Sequence, residues 1–143
     1  MQPGDLSRRI LFVEDDKDDV FLIQYACKRA GITEPMSFVE NGQRAVAYLQ
    51  AVGTADAPSL IFLDLNMPVM SGFDFLRWLR HHDKWRNVPV IVLTTSQNPA
   101  DIASAYELGA NAYVVKPSDP VELIEMFGAA RTFWLTHNQV PSA

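Results

Sequence analysis

Short, uninterrupted apolar runs that alternate with helical patterns constrain the fold of this chain more than any other feature. The run "VIVLT" lacks the in-and-out alternation of a strand with one face in water. Runs of this kind predict parallel strands that are covered by helices on both faces. The predicted strands are 9–14, 36–39, 60–64, 90–94 and 112–115, and the predicted helices are 18–30, 41–50, 71–82, 99–108 and 119–134.

Five alternations of strand and helix predict a doubly wound α/β fold with one five-stranded parallel sheet. Right-handed crossovers leave the strand order 2-1-3-4-5 as the simplest arrangement. The length of 143 residues predicts one domain over 1–143, with a core at about 8–135 and short tails at both ends.

Composition excludes several classes of protein. No apolar run reaches the length of a membrane span, and the first residues carry no signal-peptide core, so a cytoplasmic protein without membrane contact is expected. The formal net charge of −5 argues against binding to nucleic acid backbones. Cys27 is the only cysteine, which excludes an intramolecular disulfide and a thiolate metal cage.

Polar residues follow four of the predicted strands at their carboxyl ends. Glu14 ends the first strand and Asp15 follows it, Asp64 ends the third, Thr94 ends the fourth and Lys116 follows the fifth. In the order 2-1-3-4-5 the first and third strands are neighbours, so their carboxylates would meet at one edge. Magnesium would relieve the repulsion between them, and such a site could stabilise a phosphoryl group on Asp64.

An acidic residue at a strand end is more often a helix cap or a solvated loop residue. Asp16, Asp18 and Asp19 are interpreted in that way, as the N-terminal turn of the first helix. Chance is a poorer explanation for four such side chains on four strand ends of one sheet, and these favour a functional site: Glu14, Asp64, Thr94 and Lys116.

At these same positions the sequence resembles a known family, the receiver domain of response regulators. The matching segments are "FVEDD", "FLDLNMPVMSG", "VLTTS" and "YVVKP", and the resemblance extends over about 8–135. It implies a flavodoxin-like receiver fold. The segments "LTTS" and "FWL" narrow the resemblance to the small single-domain regulators that serve bacterial and cyanobacterial phytochromes.

The resemblance implies the chemistry of the acidic site. Asp64 would be phosphorylated by a partner histidine kinase, here a phytochrome-type light sensor. Asp15 would bind Mg²⁺ directly and Glu14 through water, with Mn²⁺ as an alternative metal. The main-chain carbonyl of Asn66 would be the third ligand beside Asp64.

The resemblance also implies a set of switch residues. Thr94 would supply the hydroxyl that moves towards the phosphoryl group, and Tyr113 the aromatic ring that turns inward after it. Lys116 would pair with the phosphoryl group, and the Lys116–Pro117 peptide bond would be cis. Thr95 stands where alanine or glycine is frequent, so its bulk is expected to shield the acyl phosphate from water and slow its loss.

The last helix is apolar over an arc of roughly 200°, wider than the ~100° stripe that covers one sheet face. A homodimer through this helix is therefore expected, with Phe133 or Trp134 as the anchor and Phe127 as a further candidate. The alternative is that the chain end folds back over these rings. Residues 136–143 are all that follow Leu135, so output is expected through protein contact and not through an attached domain.

Two of the four alternative functions need residues that this chain lacks. An aspartyl-phosphate phosphatase needs a second carboxylate two residues after the nucleophile, where this chain has Asn66, so turnover as an enzyme is not expected. A flavin protein needs a glycine-rich phosphate loop, where this chain has "EDDKDD". A phosphate sink and an interaction module that is never phosphorylated remain as alternatives.

Overall fold

Five strands and five α-helices alternate along residues 8–141, the part of the chain that the computed structural model describes. The expected tail residues 1–7 and the last two residues lie outside it. A 3-10 helix, Thr54–Asp56, precedes the third strand, and a π-helix, Arg131–His137, follows the last α-helix. The strands are β1 Ile10–Val13, β2 Met36–Val39, β3 Leu60–Leu63, β4 Val90–Thr94 and β5 Ala112–Val115, and the helices are α1 Lys17–Arg29, α2 Gly42–Ala51, α3 Gly72–Arg80, α4 Pro99–Glu107 and α5 Pro120–Ala130.

The five strands form one parallel sheet in the order β2-β1-β3-β4-β5, which confirms the predicted topology. Val13 at the end of β1 is level with Leu63 at the end of β3 and with Val39 at the end of β2. The first residues beyond β1 and β3 are therefore brought side by side.

Alternate residues of each central strand enter two separate cores, one on each face of the sheet. Leu11 and Val13 pack with residues of α2, α3 and α4, whereas Ile10 and Phe12 pack with residues of α1 and α5. Cys27 belongs to the second core and is fully buried, as expected for a small apolar side chain. Both faces of the sheet are covered, which explains the continuous apolar runs.

Phe127 is part of the core and is not available for contact with a second chain. Its side chain is fully buried. Its ring lies edge-on to Phe12 and Phe62, with centroid distances of 6.1 and 5.3 Å. The expectation that Phe127 contributes to a dimer is therefore wrong, because this position of α5 faces the sheet.

The last predicted helix divides into two parts, since α5 ends at Ala130 and continues as the π-helix. Arg8 donates hydrogen bonds from its guanidinium to the carbonyl oxygens of Trp134, at 3.0 Å, and Asn138, at 2.9 Å. Trp134 is half-buried against the core, whereas Phe133 is 52% exposed. The core therefore covers part of the Trp134 ring, whereas the Phe133 ring lies largely in solvent. Within residues 8–141, no helix has the length and apolar character that crossing a membrane requires.

Candidate functional site

The carboxyl edge of the sheet gathers the polar residues that follow the strands. Backbone hydrogen bonds extend the ladders past β1 and β3: Glu14 N donates to Val39 O at 2.9 Å, and Asp64 N to Val13 O at 3.0 Å. Lys116 N likewise donates to Thr94 O at 2.8 Å. These main-chain bonds fix the positions from which the functional side chains project.

Glu14, Asp15 and Asp64 form an acidic cluster in which one carboxylate oxygen of each lies within 4.8 Å of the others. Glu14 and Asp64 are buried, and Asp15 is exposed, so the cluster opens to solvent on one side. Three carboxylates are hard oxygen donors, and this donor set fits a divalent cation. The geometry agrees with the predicted metal site. Asn66 lies in the loop two residues beyond Asp64.

Lys116 brings a positively charged ammonium group to the acidic cluster. Its Nζ lies 2.5 Å from Glu14 Oε1, 2.8 Å from Asp19 Oδ2 and 4.0 Å from Asp64 Oδ2. Only 12% of its side chain is exposed. The ammonium therefore neutralises part of the acidic cluster without making a hydrogen bond to Asp64.

Burial raises the pKa of both inner carboxylic acids, Glu14 and Asp64. It raises the pKa of Glu14 from 4.5 to about 7, although the hydrogen bond from Lys116 lowers that pKa in part. Burial also raises the pKa of Asp64, against the opposing charge of Lys116. For Lys116 burial alone would lower the pKa, but hydrogen bonds to Asp19 and Glu14 leave it raised. The two buried acids are thus held in a site where a cation would favour their charged forms.

Binding of a divalent cation should therefore depend on pH. A pKa of about 7 means that Glu14 holds a proton at lower pH, and that proton competes with the metal. We expect the Kd for Mg²⁺, measured by calorimetry, to rise about tenfold per pH unit below pH ~7 and to be flat above ~8. Glu14→Gln should weaken this dependence and leave the part that comes from Asp64, and an equal Kd for the parent chain at pH ~6 and ~8 would contradict the assignment.

Thr94 lies at the end of β4 with an unused hydroxyl. Its side chain is fully buried, and its Oγ1 has no hydrogen-bond partner. The hydroxyl lies near enough to Asp64 to favour the charged carboxylate, although it makes no well-formed hydrogen bond to it. A buried hydroxyl without a partner costs free energy, so this one is available for a group added at Asp64.

Tyr113 is tied to the loop after β4. Its hydroxyl donates to Ser96 O at 3.0 Å, and its partly buried ring packs against the core on the α2–α4 face. Ser96 Oγ in turn donates to Asp101 Oδ2 at 2.6 Å. The ring is therefore placed to link the loop beyond Thr94 to β5.

An open groove of about 250 Å³ lies beside Lys116, between the first turn of α1 and the start of α5. Thr95 is exposed and forms part of the wall. Its position next to Lys116 is compatible with the predicted influence on water access. The groove is lined by Asp19, Leu22, Ile23, Leu93, Thr95, Lys116, Pro117, Ser118 and Leu123.

The loop between β3 and α3 is closed by close backbone contacts. Gly72 N donates to Leu65 O at 3.0 Å, and Gly42 N donates to Met70 O at 3.1 Å. A Cβ on Gly72 would lie 2.2 Å from Asp64 O, so only glycine fits there. Glycine at this position lets the start of α3 pack directly on the Asp64 peptide.

Two expectations need correction. The structure has no cis peptide bond within residues 8–141, so Lys116–Pro117 is trans, the form that X–Pro bonds favour by about 0.5–1 kcal/mol.

Asp16 does cap α1, since its Oδ1 accepts from Asp18 N and Asp19 N. Asp19, however, is more than a residue of the helix turn, because its carboxylate binds Lys116. Its place one turn before the buried Ile23 puts Asp19 on the sheet-facing side of α1, but no spacing in the sequence pairs it with Lys116.

Comparisons with known proteins agree with this architecture. The family described as the response regulator receiver domain matches residues 10–128. Response regulator Rcp1 of Synechocystis sp. is 36% identical over 137 residues, which cover 94% of this chain and 93% of Rcp1. The chain therefore belongs to the response regulator receiver domain family and is a response regulator of the two-component type.

Solved structures give the same result at the level of the fold. The phosphorylated cyanobacterial phytochrome response regulator RcpA matches with a TM-score of 0.86 and 35% identity, over 94% of this chain and 99% of RcpA. RPA3017, a response regulator in red light signalling of R. palustris, matches with a TM-score of 0.87 and 30% identity, over 95% and 99% of the two chains. The structure of Rcp1 in its Mn²⁺-bound form matches this chain with a TM-score of 0.82 and 35% identity, over 94% of this chain and 99% of Rcp1.

Proposed function

We propose that this protein accepts a phosphoryl group on Asp64 from the phosphohistidine of a sensor histidine kinase, and signals by contact with other proteins. The observation that carries the proposal is the convergence of Asp64 with Glu14, Asp15 and Lys116 at one edge of the sheet. The proposal covers residues 1–143 as one receiver domain with its core at about 8–135.

The transfer is a displacement at phosphorus. An oxygen of the Asp64 carboxylate forms a bond to phosphorus, the bond from phosphorus to the kinase histidine nitrogen breaks, and that nitrogen keeps the electron pair. Negative charge spreads over the phosphoryl oxygens in the transition state. Lys116 supplies a positive charge 4.0 Å from Asp64 Oδ2, and the Thr94 hydroxyl offers the phosphoryl oxygens a donor.

We propose Mg²⁺ as the metal, which Asp15, Asp64 and the carbonyl oxygen of Asn66 would hold directly and Glu14 through water. Mn²⁺ is the alternative, and the Mn²⁺-bound form of Rcp1 supports a divalent ion at such a site. When bound, the cation neutralises the carboxylates and withdraws charge from phosphoryl oxygens. Glu14 and Asp15 fix its place beside the nucleophile.

The partner we propose is a phytochrome-type kinase, because the relatives RcpA and RPA3017 are a phytochrome response regulator and a red-light signalling protein. Phosphotransfer to Asp64 would then carry the light signal, with Thr94 and Tyr113 as the switch pair. We assign the protein no turnover of an external substrate, and we place it in the cytoplasm with the ATP that charges a kinase. The net charge of −5 disfavours nucleic acid as a target.

We also propose a homodimer through the end of α5 and the π-helix. Phe133 is 52% exposed there and lies edge-on to Trp134, with a centroid distance of 4.9 Å. Exposed rings of this size are frequent anchors of protein interfaces.

Intact-protein mass spectrometry after incubation with acetyl phosphate and Mg²⁺ tests the phosphoacceptor. We expect one phosphoryl adduct on the parent chain and none on Asp64→Asn, which has the same shape but a poor nucleophile. Chelation of the metal should also prevent the adduct. Thr95→Ala should lose the phosphoryl group faster than the parent chain, because a smaller side chain admits water.

The outcomes separate the alternatives. An adduct on Asp64→Asn would move the acceptor elsewhere, and no adduct under any metal condition would favour an interaction module that works without phosphate. An adduct that forms from the kinase but changes no protein contact would indicate a phosphate sink. Equal adduct lifetimes in Thr95→Ala and the parent chain would exclude shielding by Thr95.

A further inference from the structure

Lys116 donates hydrogen bonds to two carboxylates and lies slightly beyond hydrogen-bond distance of a third. An ammonium has three N–H donors. Two of them are occupied, by Glu14 at 2.5 Å and by Asp19 at 2.8 Å. Asp64 Oδ2 is 4.0 Å away, beyond hydrogen-bond distance. One donor therefore remains for a group that is added at Asp64.

Asp19 is anchored on a different element from the other acids of the site. It lies in the first turn of α1, and its backbone N–H donates to the capping Asp16 Oδ1 at 3.1 Å. Its side chain is 33% exposed, compared with 4% for Glu14 and 8% for Asp64. Asp19 thus pulls the ammonium towards α1 and the solvent side, away from the buried nucleophile.

The position of the ammonium is the result of a competition among three carboxylates. At 4.0 Å the attraction between Lys116 and Asp64 is already substantial in a partly buried site. Without Asp19, two acids would compete for the ammonium, and contraction to an ion pair of about 2.8 Å with Asp64 would be favourable. That contact would occupy one carboxylate oxygen of the nucleophile and the space that a phosphoryl oxygen needs.

We propose that Asp19 is a positioning residue for phosphotransfer: it holds Lys116 off Asp64, so that the nucleophile stays free and the third N–H meets the incoming phosphoryl group. The proposal rests on the proposed function of Asp64 as phosphoacceptor. Asp19 does not touch the reacting atoms, and it acts only through Lys116. It also ties the first turn of α1 to the end of β5.

The test compares Asp19→Asn with Asp18→Asn at saturating Mg²⁺. Both changes remove one negative charge from the same helix turn, but only Asp19 binds Lys116. We expect Asp19→Asn to slow phosphorylation by acetyl phosphate about tenfold, the effect of losing one charged hydrogen bond, and Asp18→Asn to leave the rate near that of the parent chain. Asp19→Glu, which keeps the carboxylate, should recover most of the rate.

Crystal structures of the metal-free variants give a readout that needs no chemistry. In Asp19→Asn the distance from Lys116 Nζ to Asp64 should contract to about 2.8 Å, and in Asp18→Asn it should stay near 4.0 Å. Equal rates for the two variants, or an unmoved Lys116 in Asp19→Asn, would overturn the proposal. If the parent chain forms no adduct, the proposed function fails, and the position of Lys116 alone decides whether Asp19 holds it.

Discussion

Gly72→Ala should destabilise the protein by more than about 3 kcal/mol and lower its Tm by roughly 10 °C. The added Cβ would lie 2.2 Å from Asp64 O and 2.8 Å from Leu65 Cα. Both contacts are with backbone, so no side-chain rotation relieves them. Either the start of α3 or the end of β3 must move, and thermal and urea denaturation would measure the cost.

Gly128→Ala is the matched control. Gly128 lies inside α5, and a Cβ there meets no atom within 4 Å. This change should therefore stabilise the protein by about 0.5–1 kcal/mol, because alanine favours the helix and restricts the unfolded chain. If the two variants unfolded at the same temperature, the close backbone contact at Gly72 would contribute nothing to the free energy of unfolding.

Most of the fold could be predicted because each strand is a short apolar run that is recognisable from its own residues. The bounds of β2, β4 and β5 are those predicted. The strands β1 and β3 end one residue earlier than predicted, at the change from apolar to acidic residues, although Glu14 N and Asp64 N still bond to the neighbouring strand. Differences of this size lie within the uncertainty of any definition of a strand end.

The end of the last helix could not be predicted in the same way. Apolar spacing over 119–134 indicates a helix, but it does not distinguish α from π hydrogen bonding. The π-helix begins at Arg131, and Arg8, more than a hundred residues away in sequence, donates hydrogen bonds to carbonyl oxygens in it and just after it. Apolar spacing does not record contacts of this kind. The same spacing misassigned Phe127, because a wide apolar arc does not say which rings face the sheet.

The residues of the candidate site also fall into a group that the sequence predicts and a group that depends on three-dimensional contacts. Glu14, Asp15, Asp64, Thr94 and Lys116 were identified because parallel strands bring their carboxyl ends together. Asp19 was not identified as part of the site, because its partner Lys116 is 97 residues away in sequence and the contact depends on how the two side chains are placed. The distance that keeps Lys116 off Asp64 is likewise a result of three-dimensional competition, which no spacing in the sequence records.

Phe127→Ala should destabilise the protein by about 3–5 kcal/mol, the usual cost of removing a buried aromatic ring. The ring is fully buried and contacts Phe12 and Phe62 edge-on, and Phe12 stacks in turn on Phe38 at 4.7 Å. A cavity at this point would border α5 and the two central strands β1 and β3. Urea denaturation with an unchanged m-value would establish the loss as one of stability.

Phe133→Ala, a few residues further along, removes the same ring from a position that is 52% exposed. It should change stability by less than about 1 kcal/mol, since no core cavity results. Its effect should instead appear in light scattering, where the proposed dimer of the parent chain would become a monomer. Comparable losses of stability in the two variants would place Phe133 in a packed core. A parent chain that is monomeric at micromolar concentration would remove the dimer and leave Phe133 as an isolated exposed ring, which is common on protein surfaces.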